Sequence, residues 1–232
     1  MLTERLGSLM ELEPDQRVLD VASGTGGSAI FLAKRFGCQV VGVDYGRQSV
    51  ALANVAAAEA GLANRVGFEL GDAEQLPFDD SSFDAVICEC AFCTFPDKTK
   101  AAAEIARVLR AGGRLGLSDL TRSGPLPAEL EGLLAWVACI ADAKPVDRYV
   151  EYLAAAGLDV DQVEVHDEAL SQTVADVRAK LLGAELLVKL KKIDLPGADF
   201  DQARIIARSA AEAVREGKLG YASLIASNLA TQ

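Results

Sequence analysis

A single histidine, 23 basic residues against 34 acidic ones, and no apolar run long enough to cross a bilayer are the shortages of this 232-residue chain. Each excludes something. A net charge of −11 and a pI near 4.6 repel phosphate backbones and anionic lipid. A nucleic-acid or membrane partner is thereby disfavoured, and a small molecule is expected. The longest apolar run, LLAWVACIA from Leu133, falls short of the roughly 20 residues that a membrane helix needs. The opening MLTERLGSLMELEPD mixes acids into its apolar positions, so no secretory signal is expected and the expected compartment is cytoplasmic. Thiols stay reduced there, which argues against a disulfide framework among the five cysteines. His166, the one histidine, stands among Glu164, Asp167 and Glu168 and reads as a solvated surface residue rather than a general base. There is no repeat and no low-complexity tract.

What is present is material for a core, since half of the residues are hydrophobic, and the chain reads as one domain over 1–232. Short apolar runs alternate with helix-period segments, the pattern of βαβ units and of a doubly wound α/β sheet covered on both faces. Seven strands are expected, near 17–22, 39–44, 66–71, 83–89, 114–119, 158–165 and 219–227. GRQSVALANVAAAEAG reads as a helix closed by Gly61. The segment from Asp97 to Arg110 reads as another, with Ala101, Ile105, Val108 and Leu109 on one face and Gly112 closing it. Pro125 and Pro127 break the chain after the fifth strand. The apolar helix that follows, with Trp136 and Cys139, is expected to form a lid within 120–145. Over 171–217 a helical insertion is expected before the last strand, its first helix carrying Val177, Leu181, Ala184 and Val188 on one stripe.

The acids fall in a pattern. Asp20, Asp44, Asp72, Glu89 and Asp119 each sit at or just past the end of an expected strand, where doubly wound sheets open their ligand crevice. Acids also favour loops and helix N-caps, which accounts for any one of them more easily than for all five. After the first strand, VLDVASGTGGSA carries Gly24, Gly26 and the small Ala29 in the loose dinucleotide pattern. Asp44 follows at about the 20-residue spacing at which a carboxylate meets ribose hydroxyls. Asp20, just before the glycine turn, opposes a pyrophosphate and suits an ammonium. The expected ligand is therefore a cationic, amino-acid-bearing nucleoside.

VLDVASGTGG, VVGVDYG, GDAEQLPF, FDAVICECAF and ARVLRAGGRLGLSDL stand in the order and spacing of class I S-adenosylmethionine-dependent methyltransferases, which the chain resembles from about Arg17 to Val165. The resemblance implies S-adenosyl-L-methionine as cofactor and a mostly parallel seven-stranded sheet whose last strand is antiparallel. The helical insertion would be an addition to that fold. It also implies roles. Asp20 and the turn of Gly24, Thr25 and Gly26 would face the methionine part of the cofactor. Asp44, with Tyr45 beside it, would take the ribose hydroxyls, and Asp72 with Ala73 the adenine edge. Glu89 and Cys90 would stand where the methyl group is presented.

CECAFC, residues 88–93, places three of the five cysteines within six positions. Cys88 continues the apolar run AVIC of a strand, which suits buried filler. One CxCxxC without a further cysteine pair or histidine falls short of the four ligands of structural zinc, and no metal site is expected. The surrounding acids raise a thiol pKa and count against a nucleophile. Soft thiolates, by contrast, suit a soft acceptor. CECAFCTFPDK resembles the segment of arsenite methyltransferases that sets a metalloid-binding cysteine after the fourth strand. Cys139 resembles their second such cysteine, and Cys93 is available as a third sulfur. The cysteine those enzymes carry before the glycine loop has no match here, nor does their longer C-terminal extension.

The expected activity is transfer of a methyl group to a thiol-bound trivalent metalloid such as arsenite, with Cys90, Cys139, Cys93 and Glu89 on the acceptor side. Displacement from a sulfonium needs alignment and exclusion of water, and a soft acceptor with a lone pair needs no base. Two alternatives stand beside it. One is an O-, N- or C-methyltransferase of a small apolar metabolite with inert cysteines, and the other is a protein that binds the nucleoside or a metal without turnover. Monomer and homodimer are both open.

Overall fold

The computed structural model of the chain describes residues 2–131, 139, 140 and 142–229. One sheet is built from β1 (Arg17–Val21), β2 (Gln39–Asp44), β3 (Val66–Leu70), β4 (Phe83–Glu89), β5 (Leu109–Arg122), β6 (Leu158–Val165) and β7 (Leu219–Asn228). Their order is β3-β2-β1-β4-β5-β7-β6. β1 runs parallel to β2 and β4, β2 to β3, and β4 to β5. The sheet is mostly parallel with one antiparallel hairpin, as the family resemblance implied. The helices are α1 (Leu2–Leu9), α2 (Gly27–Phe36), α3 (Arg47–Glu59), α4 (Lys98–Val108), α5 (Val146–Ala155), α6 (Asp167–Lys189) and α7 (Phe200–Arg215). None of the described helices is long and apolar enough to cross a membrane.

The chain divides into two compact units. The first comprises Met1–Asp119, Asp147–Glu164 and Ser223–Gln232, and the second Leu120–Val146 and Val165–Ala222.

In the first unit β1 lies between β2 and β4, and Val18, Leu19 and Val21, which alternate between its two faces, are all fully buried. That explains its unbroken apolar run. Leu6, Ala29, Leu32, Ala53 and Ala57 from α1, α2 and α3 pack with Val40, Phe68 and Ile225 in one core cluster. Small residues on the helices let them settle close to the strands. Gly42 in β2 shows how close, because a Cβ there would stand 2.2 Å from Phe68 Cδ1 and 2.7 Å from Ser23 Oγ.

One boundary departs from expectation. Asp97 caps α4 by accepting the Lys100 N–H at 3.0 Å, but the helix stops at Val108 rather than Arg110. β5 starts at once, pairing Leu109 with Phe83, and then slips register so that Arg114 pairs with Ala85. Gly112, at φ 73°, therefore lies within this irregular strand start instead of closing the helix. Asn228 explains why the helix ends there, since its Nδ2 donates to the carbonyls of Ala106 at 3.1 Å and Leu109 at 3.0 Å.

The second unit holds α6 and α7, joined by an ion pair between Arg204 and Glu185. α7 buries Ala207, Ala210 and Ala213. α6 buries only Leu170, and within its stripe Leu181, Ala184 and Val188 are half-buried while Val177 is exposed. His166 is half-buried just before α6 and its backbone N–H donates to the Tyr221 carbonyl at 2.8 Å, so it is less solvated than its acidic neighbours suggested. Of the expected lid, Leu130 is buried in a single helical turn over Ala128–Leu130, and Trp136 lies outside the described residues.

The tight passage under Phe68 yields a prediction. Gly42→Ala forces the Phe68 ring aside and is expected to cost about 1–3 kcal/mol, the range for overpacking a filled core. Chemical denaturation checks it. Phe68→Leu in the same chain should recover part of the loss.

Candidate active site

The carboxyl end of β1 carries a buried acid. Asp20 is 2% exposed and pairs in register with Gly42 on one side and Ile87 on the other. Its pKa is pushed up to about 8, first by burial and then by the charges of Glu89 and Asp44, against the stabilising N–H of Ala29. Its Oδ2 and the Oγ of Ser23 are buried without a hydrogen-bond partner among the described residues. Such atoms are costly unless something else satisfies them.

After β1 the chain turns through left-handed backbone at Ala22 (φ 58°), Gly24 (φ 54°) and Gly26 (φ 84°), and α2 starts at the next residue. At Gly26 a side chain would also strike Phe68 Cζ at 2.5 Å. Gly24 is different, since nothing lies within 4 Å of where its Cβ would stand. Its bare backbone is open to a ligand.

Asp44, the last residue of β2, secures this turn. Its Oδ2 accepts the Gly24 N–H and its Oδ1 the Gly46 N–H, both at 2.8 Å. Each such bond to a charged group contributes about 1.5–3 kcal/mol. A carboxylate has about four acceptor positions, so Asp44 keeps capacity for hydroxyl donors beyond these two.

Glu89 ends β4 and accepts from Ser28 Oγ at 2.6 Å and, more weakly, from Ser118 Oγ at 3.5 Å. The sequence reading missed Ser28, although it follows the glycine turn directly on the first turn of α2. Asp119 is fully buried and its Oδ2 accepts the Cys93 N–H at 2.8 Å.

Asp20, Asp44 and Glu89 are thus brought together, while Asp119 joins them through Cys88. Burial raises the Cys88 thiol well above its ordinary range, followed by the charges of Asp119 and Asp20. Asp72 stands differently. It follows the edge strand β3, two strands from β1, is exposed, and caps its own loop by accepting the Glu74 N–H at 2.9 Å. Ala73 beside it is half-buried, Thr25 is exposed, and Tyr45 is 81% exposed.

The cysteines separate by burial. All five are thiols. Cys38, Cys88 and Cys93 are sealed in the interior, and burial pushes the Cys38 thiol up to about 11. Cys93 sits in the short turn Phe92–Thr94, where Phe92 meets Phe95 and Tyr149 edge-on. Cys90 is exposed, has φ 53°, and donates its backbone N–H to the Ser118 carbonyl at 2.8 Å. Cys139 is half-buried in the second unit. Among the described residues no group of three or more His, Cys, Asp or Glu is arranged to hold a metal ion.

Residues 19–117 match the family model described as a methyltransferase domain. Methyltransferase GfsG of Streptomyces halstedii is 31% identical over 209 residues, which is 84% of this chain and 75% of that protein. The chain belongs to the class I S-adenosylmethionine-dependent methyltransferases. O-methyltransferase cnsE of Penicillium expansum is 30% identical over 98% of this methyltransferase and 78% of its own length. An arsenite methyltransferase of Halobacterium salinarum is 31% identical over 68% of this chain, which spans 41% of that relative. Among solved structures, a putative sarcosine dimethylglycine methyltransferase from Galdieria sulphuraria superposes with a TM-score of 0.83 at 23% identity, covering 98% of this chain and 85% of that one. It shares the fold.

The cofactor of this methyltransferase is S-adenosylmethionine. The residues fit it, because the partnerless Asp20 Oδ2 and Ser23 Oγ beside the open backbone of Gly24 suit an ammonium group and its carboxylate neighbour.

The raised Asp20 pKa has a sign that melting curves can read. A neutral Asp20 favours the folded cofactor-free chain, and that contribution is lost as pH rises from about 4 through about 8. Asp20→Asn cannot ionise. Thermal melts across this range should fall more steeply for the parent than for the variant, and parallel curves would contradict the assignment.

Proposed function

We propose that this methyltransferase acts on a hydroxyl group of a small organic molecule, and the observation that carries this reading is the burial of Cys88 and Cys93. Both are 0% exposed, so the cysteine cluster offers one accessible sulfur where a metalloid needs several. The name of the cnsE relative, an O-methyltransferase aligned over nearly the whole chain, supports the same acceptor.

We assign the following roles. Asp20, Ser23 and the turn of Gly24, Thr25 and Gly26 hold the amino-acid end of the cofactor, and the remaining lone pairs of Asp44 take the ribose hydroxyls. Asp72, Ala73 and the exposed Tyr45 ring line the adenine end. When bound, S-adenosylmethionine supplies an electrophilic methyl group on a sulfonium. Glu89, held by the Ser28 hydroxyl at 2.6 Å, takes the proton from the acceptor hydroxyl as the new O–C bond forms. The protein's main contribution to this transfer is alignment. We assign its action to the cytoplasm, where its thiols stay reduced.

A second reading rests on Cys90, the exposed cysteine beside Glu89. A thiolate there suits trivalent arsenic. The similarity to an arsenite methyltransferase favours it over a shorter stretch.

Turnover of labelled cofactor against phenols, aliphatic alcohols, a thiol and arsenite separates the two. The hydroxyl reading expects methylation of a phenol or alcohol, unchanged activity in Cys90→Ser, and a fall of about 10²–10⁴-fold in Glu89→Gln. Arsenite methylation abolished by Cys90→Ser would replace it with the metalloid reading.

A further inference from the structure

The helical pair α6 and α7 encloses a cleft of about 480 Å³ that plays no part in the roles above. Arg178, Leu181 and Leu182 line it from α6, and Asp201, Arg204, Ile205 and Arg208 from α7. The spacing explains the two walls, since residues three and four apart share a helix face. Its volume is in the range of about 300–1,000 Å³ typical of small-molecule sites.

The charges in this cleft are unequal. Arg204 is committed, bonding both Glu185 and Asp201, and Glu185 also holds Lys189 at 2.6 Å. These two partners keep the Glu185 carboxyl well below its usual range. Arg178 and Arg208 face the cleft from opposite helices, and neither has an ion-pair partner among the described residues. Between them the wall is aliphatic. Leu182 is 60% and Ile205 36% exposed, so this aliphatic wall is open to the apolar body of a ligand.

A ligand that meets both features has an anionic head for two guanidiniums and an apolar body for the leucine and isoleucine wall. Asp201 limits the head's charge, because a second negative charge would lie against its carboxylate. A chain of net charge −11 repels anions elsewhere, so anion binding at this place would be specific to it. We infer that the α6–α7 cleft is a binding site for a monocarboxylate with an aliphatic body, with Arg178 and Arg208 as its carboxylate clamp. None of the residues assigned to the cofactor or to proton removal lines this cleft, so the inference stands whether or not the hydroxyl reading does.

Calorimetry on the full chain with decanoate, acetate and decanol tests it. Saturable decanoate binding is expected, with acetate and decanol each at least about tenfold weaker, since one lacks the body and the other the charge. Arg178→Gln and Arg208→Gln should each weaken decanoate by about tenfold or more. Cofactor affinity measured on the same variants should be unchanged, which separates loss of the clamp from loss of the fold. Equal binding of decanol and decanoate, or unaltered decanoate binding in both variants, would overturn the carboxylate clamp. Absence of decanoate binding together with a dimer in sedimentation would give this face to a second copy of the chain and would equally overturn it.

Discussion

An acid buried in the middle of a sheet with one oxygen left unsatisfied is the constraint around which the first unit is arranged. Asp20 stands in β1, the strand covered on both sides, and shares its surroundings with Glu89 and Asp44. Three carboxylates so close are unfavourable in an empty protein and favourable around a cation. The glycine turn, the capping of that turn by Asp44 and the closeness of Phe68 to Gly42 and Gly26 all serve to keep this arrangement in place. Stability is given up where the cofactor supplies it, a common relation between strain and function.

Electrostatics also sorts the cysteines. Burial first, and then the same acids, hold the Cys88 thiol neutral, and Cys93 is locked by the bond from its backbone to Asp119 and by the aromatic contacts of Phe92. Cys90 escapes both fates. Its left-handed backbone turns it out at the end of β4, which is the position that distinguishes the two acceptors considered for this enzyme.

Much of this was legible in the sequence. Six of the seven strands fall within about two residues of where apolar runs and glycines set them, because a parallel sheet covered on both faces writes itself as continuous apolar segments. The start of β5 was not legible, since the Leu109–Gly113 irregularity depends on pairing with β4 and on Asn228, over a hundred residues away. α1, α2 and α5 were also missed: α1 is only eight residues long and sets Glu4 and Arg5 among its apolar positions, and α2 begins inside the glycine motif. At the site, strand ends located the acids. Distances decided which of them interact, and Asp72, on the edge strand, does not join Asp20 as Asp44 and Glu89 do. The run AVIC made the burial of Cys88 legible, but not the exposure of Cys90 or the burial of Cys93, because the stretch crosses from strand to turn, where the two-residue alternation of faces ends.

We propose that Asp20 and its neighbours are arranged to receive the cofactor's ammonium group. Calorimetry of S-adenosylhomocysteine beside its analogue lacking the α-amino group tests this most directly, because only the cation differs. The account predicts that the analogue binds more weakly by about 1.5–3 kcal/mol, the contribution of a hydrogen bond to a charged group. Equal affinity for the two would contradict it.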